Sequence, residues 1–482
     1  MLFPAPLLTA GFLGFIFLFH LFQKSRFHGK GLLCLALAPA TGLSLCSLIL
    51  FFSYLISGAQ GKFLSTLFVL LLNVFLILRI LSSGSFPEKK APEIPLREAL
   101  LEKFRKNRLS LFLSVVAFAL FLFIFFRFFN LFLSASALNP YGGWDARFFW
   151  NVKAGFYFRD PSMWKNMFSP VISWTHPDYP LMLPGAVAWG WNGWGKEVLF
   201  WPALVSLGFI LSLVSLVLVY LIRSAPGWSA WIAAGFLLNA NIYPFWAVSQ
   251  YADVPLTFFM TAAGVLLVMA FQAQDRALFF ASGWMAGMAA WTKNEGLFFI
   301  PEILMAGLLA GWRGKKTGSE RKKEILSFIQ GMALPCLAVL ILKLFLGKTG
   351  DYAGSSRTLQ DYFSLLFGHA ENTRVILDSF YGFMRERTHW KGLWFFFFAA
   401  VPCSFFLSRN QDRPYSRVFA VLAGLILAGY FVILHLSPHD VRWQISTALY
   451  RLLMHSSVLA LLFAFETFSP VISRCPDIDS SS

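Results

Sequence analysis

Charge is scarce in this sequence. Asp, Glu, Lys and Arg together make up 13% of the 482 residues, where soluble domains carry about a quarter, so an ordinary water-solvated globule is excluded. Cysteine is scarce too, and the five present do not cluster. Cys34, Cys46, Cys336 and Cys403 lie in apolar runs and Cys475 in the C-terminal stretch. That spacing suits neither a metal centre nor a disulfide framework, which leaves small apolar packing residues. There is no Walker motif and no glycine-rich dinucleotide fingerprint, so the usual nucleotide-handling classes are removed. No internal repeat of the transporter kind is visible. Residues 1–6 carry no basic segment and no small-residue cleavage site follows, so residues 7–22 are expected to be a retained span rather than a cleaved signal. Acidic residues are outnumbered, 24 against 40 Lys and Arg, for a net charge of +16. The cations fall between apolar runs, as the positive-inside rule places them, and not on a polar domain that would hold DNA or RNA. No nucleic-acid partner is expected.

What is abundant is apolar side chain. Hydrophobic residues are 57% of the chain, with 56 Phe and 17 Trp. They collect in continuous runs of about 16 to 26 residues, the length that spans roughly 30 Å of hydrocarbon. Continuous rather than alternating apolarity selects helices, which satisfy their own backbone in lipid. The expected fold is an all-α, polytopic integral membrane protein. Hydropathy gives about thirteen candidate spans, at 7–22, 31–56, 63–81, 109–133, 198–222, 228–248, 254–271, 277–291, 296–312, 325–346, 392–407, 418–436 and 452–468. Three connectors, 23–30, 87–108 and 313–324, are strongly basic and fall on one side of this count. Assigning that side to the cytoplasm puts the N-terminus outside and the tail 471–482 inside. Residues 1–108 read as a three-helix extension with a basic cytoplasmic loop. Residues 109–470 read as a second membrane domain with outer loops 135–197, 347–391 and 437–451.

Unusual polar residues gather on that outer face. The stretch 139–184 interrupts two apolar runs with a structured, aromatic-rich loop, where a chain that only crossed the membrane would use a short connector. Gly142 and Gly143 permit a sharp exit from the helix, and Trp144, Phe148, Phe149 and Trp150 suit a segment at the interface. Asp145, held among them, should have a raised pKa, which serves a general base. The plainer reading is an interfacial carboxylate paired with Arg147 or Lys153. In His176-Pro177-Asp178-Tyr179-Pro180 the prolines fix a turn and lead into an interfacial helix over 181–191. His176 itself could bind phosphate, shuttle a proton or ligate a metal. Asp253 suits the cap of a helix starting near Val254, with Pro255 in its first turn, or else a substrate-orienting role. Lys293-Asn294-Glu295 lies between two short apolar runs, where charge is costly and marks a site or a buried pair. Lys293 could neutralise a lipid phosphate, with Glu295 its partner or a cap. Arg127, one to two turns below the outer mouth, could snorkel to the interface or meet an anionic headgroup. Arg357, Arg374, Arg385, Arg387 and His389 in one outer loop, and His439, Asp440 and Arg442 in the last, read mostly as a solvated face. Among them a few arginines are shaped for phosphate by their planar fork.

The order of these features resembles the glycosyltransferase C superfamily: an Asp near the start of the first outer loop, a His-Pro turn, an A-D-x-P loop and a K-N-E-G loop. More narrowly, the chain looks like bacterial relatives of the dolichyl-phosphate-mannose protein mannosyltransferases and the lipid A aminoarabinose transferases. The resemblance covers roughly residues 109–468. It implies Asp145 as general base on an acceptor hydroxyl, His176-Pro177 at the start of a juxtamembrane helix beside the active site, and Lys293 as a contact to the carrier phosphate. Arg127, Asp253, Glu295, Arg385, Arg387, His439 and Arg442 stand with it as candidates for binding donor phosphate or substrate. The segment 437–451 is similar to one in bacterial members that reads T-P-H-D, Trp-His and T-S-x-x-R, with Gln444 here in place of the His. Asp145-Ala146 replaces an Asp-Glu pair and His-Pro-Asp replaces His-Pro-Pro, departures that bear on sugar and acceptor more than on reaction class.

The function so implied is transfer of one sugar, with inversion, from a polyprenyl-phosphate donor to a protein, lipid or glycan acceptor at the periplasmic face of a bacterial inner membrane. Membrane lipids surround it, and neither a cofactor nor a divalent metal is expected. A second class, a transporter or flippase of a lipid-linked sugar, would use the same cations. It should carry charge deep in several spans and show repeated halves, whereas the charge here concentrates at one face.

Overall fold

The computed structural model describes residues 5–25, 27, 29–83, 108–311, 318–347, 370–406, 415–437 and 439–469. Most of the basic connectors (87–107 and 313–317), Arg357 and the tail 471–482 lie outside these residues. Among the described residues every regular element is helical. In chain order the helices are α1 (Ala5–Leu21), α2 (Lys30–Ser57), α3 (Gly61–Ser82), α4 (Arg108–Leu138), α5 (Val152–Arg159), α6 (Met182–Trp194), α7 (Trp201–Ser224), α8 (Gly227–Asn239), α9 (Ile242–Val248), α10 (Asp253–Ala273), α11 (Arg276–Thr292), α12 (Glu295–Gly311), α13 (Gly318–Ile341), α14 (Ala370–Arg385), α15 (Arg387–Trp390), α16 (Leu393–Phe406), α17 (Arg417–Leu436) and α18 (Val441–Phe468). Seven helical stretches are long and apolar enough to cross a membrane: Lys30–Ser82, Arg108–Leu138, Trp201–Ser224, Asp253–Ala273, Gly318–Leu346, Arg417–Leu436 and Val441–Phe468. Ala5–Leu21 and Leu393–Phe406 are shorter apolar helices. The chain is thus an all-α membrane protein.

The helices pack by two devices. At the centre, α10 is buried along its whole apolar length, with α7 and α18 beside it. At the rim, α4 leaves Phe112, Phe123 and Phe126 exposed, as a helix facing lipid does. Elsewhere small residues bring backbones together. A Cβ on Gly42 would stand 1.6 Å from the Ala10 carbonyl oxygen, and one on Gly14 2.1 Å from that of Ala38. The α11–α13 pair is built alike: a Cβ on Gly283 would meet Phe328 O at 1.9 Å, and one on Gly331 would meet Phe280 O at 2.0 Å. Lipid tails are as apolar as the helices, so close backbone approach and dispersion must supply the association.

Connectors sort to two ends of this bundle. At one end Ser25 donates to the Asp275 carboxylate, Gln23 to Ser83, and Arg223 lies 5.3 Å over the Phe27 ring. At the other end the segments 139–145, 176–179, 249–253, 293–295, 343–347 and 447–455 touch one another. That second end holds the unusual polar residues.

One element sits differently from its sequence reading. The helix expected at the interface over 181–191 forms as α6, but it is buried from Met182 to Trp191 and wedged against α2 and α7. Ser47 Oγ donates to Leu181 O at 3.0 Å and Trp201 Nε1 to Ala186 O at 3.2 Å. Gly185, Ala186, Ala188 and Gly190 are the reason. Their small side chains let neighbours close in, to the point that a Cβ on Gly190 would overlap the Trp201 ring.

Candidate active site

Backbone chemistry delivers Asp145 to the bundle end. Gly142 turns the chain out of α4 at φ +69°, and a Cβ there would lie 2.7 Å from the Ser249 carbonyl oxygen. Only glycine tolerates that conformation at that distance. Gly143 N–H donates to Ser249 O at 2.9 Å, and Gln250 Nε2 donates to Pro140 O at 3.1 Å. The loop is thereby stitched to the connector that precedes Asp253. Lys293 follows α11 in extended conformation, and Glu295 opens α12. Arg451 and His455, one helical turn apart on α18, complete the group.

The side chains form one continuous network. Arg451 Nη1 lies 2.5 Å from Asp145 Oδ2 and 3.8 Å from Asp253 Oδ2. Lys293 Nζ bridges Asp253 Oδ1 at 2.9 Å and Glu295 Oε1 at 2.8 Å. His455 Nε2 is 3.2 Å from Asp253 Oδ1, and its Nδ1 is 2.6 Å from the Tyr430 hydroxyl. Asp253 is therefore the hub, and its carboxylate faces inward. The capping role read from the sequence is not taken, because Asp253 is already the first helical residue of α10 and no side-chain cap bond forms there. Asp253, Lys293 and His455 are buried, whereas the Asp145 and Arg451 side chains stay 17% and 16% exposed. The open edge of the site is thus formed by the Asp145–Arg451 pair together with Glu295, whose side chain is also 17% exposed. The Arg451 guanidinium rests against the rings of Trp246 at 5.6 Å and Tyr251 at 5.5 Å.

Burial pushes the Asp145 carboxyl above the usual carboxylate range, and nearby Asp253 adds to this, while Arg451 and Lys293 act in the opposite sense. The direction agrees with the expectation from the aromatic surroundings, though Asp145 pairs with neither Arg147 nor Lys153. Arg147 donates to Asn139 Oδ1 at 2.7 Å, and Lys153 donates to the His176 carbonyl at 2.5 Å. Three carboxylates thus face two fixed cations and one imidazole. Such an array can take up a proton at its open edge and can offer its cations to an anion.

A second network braces the first. Asn294 Nδ2 donates to Asp178 Oδ2 at 2.8 Å. Lys343 Nζ donates to Asp178 O at 2.7 Å and Asn294 Oδ1 at 2.7 Å, and stands 3.1 Å from Asp178 Oδ2. The His-Pro turn is so tied to the segment that carries Lys293 and Glu295. The His176 ring stacks on Tyr179 and meets Phe149 edge-on, each at 4.8 Å, at a left-handed backbone position, φ 51°.

No family model, curated protein or solved structure matches this chain.

Of the residues singled out from sequence, Asp145, Asp253, Lys293 and Glu295 converge in the first network, and His176 belongs to the turn braced by the second. The others lie apart from it. Arg127 Nη2 donates to Asn239 Oδ1 at 2.7 Å on an exposed helix face. Arg385 lies over the Tyr381 ring at 5.0 Å, and Arg387 is exposed on α15. Arg442 stands 3.6 Å from Glu371, both well exposed. The His439 ring packs on Trp443 at 5.4 Å. Arg451, His455, Tyr430 and Lys343 were missed, and Asn294 was noted only as the middle residue of the Lys293–Glu295 segment. For the first pair a signal existed: Arg451 and His455 are spaced i,i+4 and share one face of a helix. Among the described residues no group of three His, Cys, Asp or Glu gathers as metal ligands would.

Proposed function

We propose that this protein is a membrane glycosyltransferase that moves a sugar from a polyprenyl-phosphate donor to an acceptor hydroxyl at the outer face of a bacterial inner membrane. One observation carries the reading. The acids Asp145, Asp253 and Glu295 and the cation Lys293, drawn from three separate loops, meet in a single largely buried network whose open edge includes Asp145, a carboxylate with a raised pKa. The two-ended sorting of the connectors supports a path of thirteen crossings with the N-terminus outside and the C-terminus in the cytoplasm. In this reading the lipid tail lies along the bundle and its phosphate meets the site at the membrane surface.

The chemistry is one displacement. The acceptor oxygen forms a bond to the anomeric carbon as the bond from that carbon to the lipid phosphate breaks. The phosphate leaves with the electron pair, and Asp145 takes the acceptor proton. Attack opposite the leaving group inverts the anomeric centre. A positioned general base contributes about 10²–10⁴-fold. Lys293 and Arg451 form the cationic side of the site, suited to the charge growing on the departing phosphate. The residues form no covalent intermediate in this scheme.

The test is incubation of purified protein with a labelled polyprenyl-phosphate sugar and acceptor extracts. Release of free carrier phosphate by the wild type, lost in Asp145→Asn, supports the proposal. Movement of the intact donor across a vesicle bilayer without cleavage would instead identify a flippase.

A further inference from the structure

Arg451 poses a problem for any chemistry at Asp145. Its Nη1 holds Asp145 Oδ2 at 2.5 Å, and this contact favours the charged carboxylate against the burial that raises its pKa, so Asp145 accepts a proton less readily than it would without Arg451. The partner is not required elsewhere. Asp253 is already served by Lys293 at 2.9 Å and His455 at 3.2 Å, so the 3.8 Å approach of Arg451 to it is a secondary contact. Arg451 Nε is buried with no hydrogen-bond partner among the described residues. Its other anchor is weak: Nη2 donates to the backbone oxygen of Thr447 on its own helix at 3.1 Å. The guanidinium is therefore a five-donor fork that spends one donor on Asp145, keeps one unused, and lies beside the contacting rings of Trp246 and Tyr251.

We infer that Arg451 is a shared cation, handed from Asp145 to the phosphate of an arriving lipid-phosphate ligand, so that binding of the phosphate is what frees Asp145. Rest and ligand compete for the same fork. A phosphate monoester offers more charge than a carboxylate and three terminal oxygens for a bidentate contact, and the Trp246 and Tyr251 rings are within cation–π reach of the guanidinium. The donor phosphate thereby becomes a condition for base function, and an acceptor that enters first meets a neutralised carboxylate. This rests on the reading of the site as a receiver of lipid-linked phosphate, and it adds an order of events that the reaction class does not dictate.

Competition predicts an unusual sign. Removing the charge of Asp145 should tighten phosphate binding, because the ligand no longer displaces a carboxylate. Equilibrium dialysis of labelled farnesyl monophosphate against the detergent-purified full chain measures this, with inorganic phosphate and farnesol as parallel arms to separate headgroup from tail. Asp145→Asn is expected to lower the Kd about tenfold, a change of about 1.4 kcal/mol, and Arg451→Gln to raise it about tenfold or more. The double variant Asp145→Asn/Arg451→Gln should bind no better than Arg451→Gln alone, since the gain works only through Arg451. Arg451→Lys, which keeps the charge for folding but loses the fork, should fall between. The inference is overturned if Asp145→Asn leaves the Kd unchanged, if its gain persists without Arg451, or if the wild type does not bind farnesyl monophosphate. The two proposals fail separately. The binding cycle without donor cleavage would retain the handover and discard the transferase, and sugar transfer without tightening would do the reverse.

Discussion

Lys153 offers a test of the segment 139–184 that needs no substrate. It is fully buried on α5, its Nζ donating to the His176 carbonyl at 2.5 Å and lying 5.9 Å from the centre of the Tyr179 ring. Burial is the chief cause that brings its pKa from 10.5 down to about 7; Asp178 favours the charged form and Lys343 opposes it. A fall of that size corresponds to about 5 kcal/mol of native-state cost when both states are protonated. In the unfolded chain Lys153 holds its proton up to about pH 10.4, so between about pH 7 and that value the unfolded state binds more protons. Stability contributed at this position therefore rises with pH across that window, and the full cost is borne below it. Lys153→Met keeps the length of the side chain and removes the cost. It also removes the donor to His176 O, worth about 1–3 kcal/mol if that carbonyl is left unsatisfied. The variant should be more stable than wild type by about 2–4 kcal/mol at pH 6 and less stable at pH 10. Thermal unfolding in detergent at several pH values reads the difference directly. A difference with the same sign and size at pH 6 and pH 10 would refute the buried, proton-shedding lysine.

Three further outcomes follow from the packing. Asp253→Ala removes the shared partner of Lys293, His455 and Arg451, and breaking a buried pair in this way costs about 3–5 kcal/mol. A melting temperature within a degree of wild type would show that the hub is not structural. Gly42→Leu would drive a side chain into the Ala10 backbone, and overpacking of this kind costs about 1–3 kcal/mol or more; unchanged folded yield in membranes would argue against the α1–α2 contact. Lys343→Met removes the cation that clamps Asp178 and Asn294 and leaves only their direct bond, so limited proteolysis should cut within residues 146–176 faster than in wild type, and equal cleavage rates would count against the brace.

The lines of legibility are physical. Hydropathy reports the free energy of placing a segment in lipid, so the apolar helices and the polar interruption between Arg108–Leu138 and Trp201–Ser224 could be read from single runs of residues. Hydropathy does not say what a segment packs against. The helix at 182–194 has the same apolarity whether it rests at an interface or inside the bundle, and its small residues decide for the interior. The partner of Asp145 was sought among Arg147 and Lys153, two and eight positions away. It is Arg451, 306 positions along the chain, reachable only through the packing of α18 beside α10. Asp253 was read as a cap because capping is a local bond, whereas its actual bonds run to α18 and to the end of α11. His455 was hidden inside an apolar run, where its i,i+4 relation to Arg451 was the one local trace of the site.

A buried charge network is poor evidence for stability, because well-packed apolar residues would serve the fold as well or better. The distribution of burial within this one is more telling. Asp253, Lys293 and His455 are nearly free of solvent and satisfy one another, with Tyr430 behind the imidazole. Asp145, Arg451 and Glu295 keep a solvent-facing edge, and the atoms Arg451 Nε and Glu295 Oε2 lie buried in the same network with no hydrogen-bond partner among the described residues. The inner group has the geometry of a support, in which each member fixes the position of the next. The outer pair has the geometry of an exchangeable contact: strong, single and accessible. An anion that reaches this end of the bundle therefore meets Arg451 before Lys293. Releasing Lys293 would break two buried ion pairs, whereas releasing Arg451 from Asp145 breaks one contact at the edge. Under the proposed reading, Arg451 would make the first phosphate contact at the edge, while Lys293 holds Asp253 and Glu295 in register behind it.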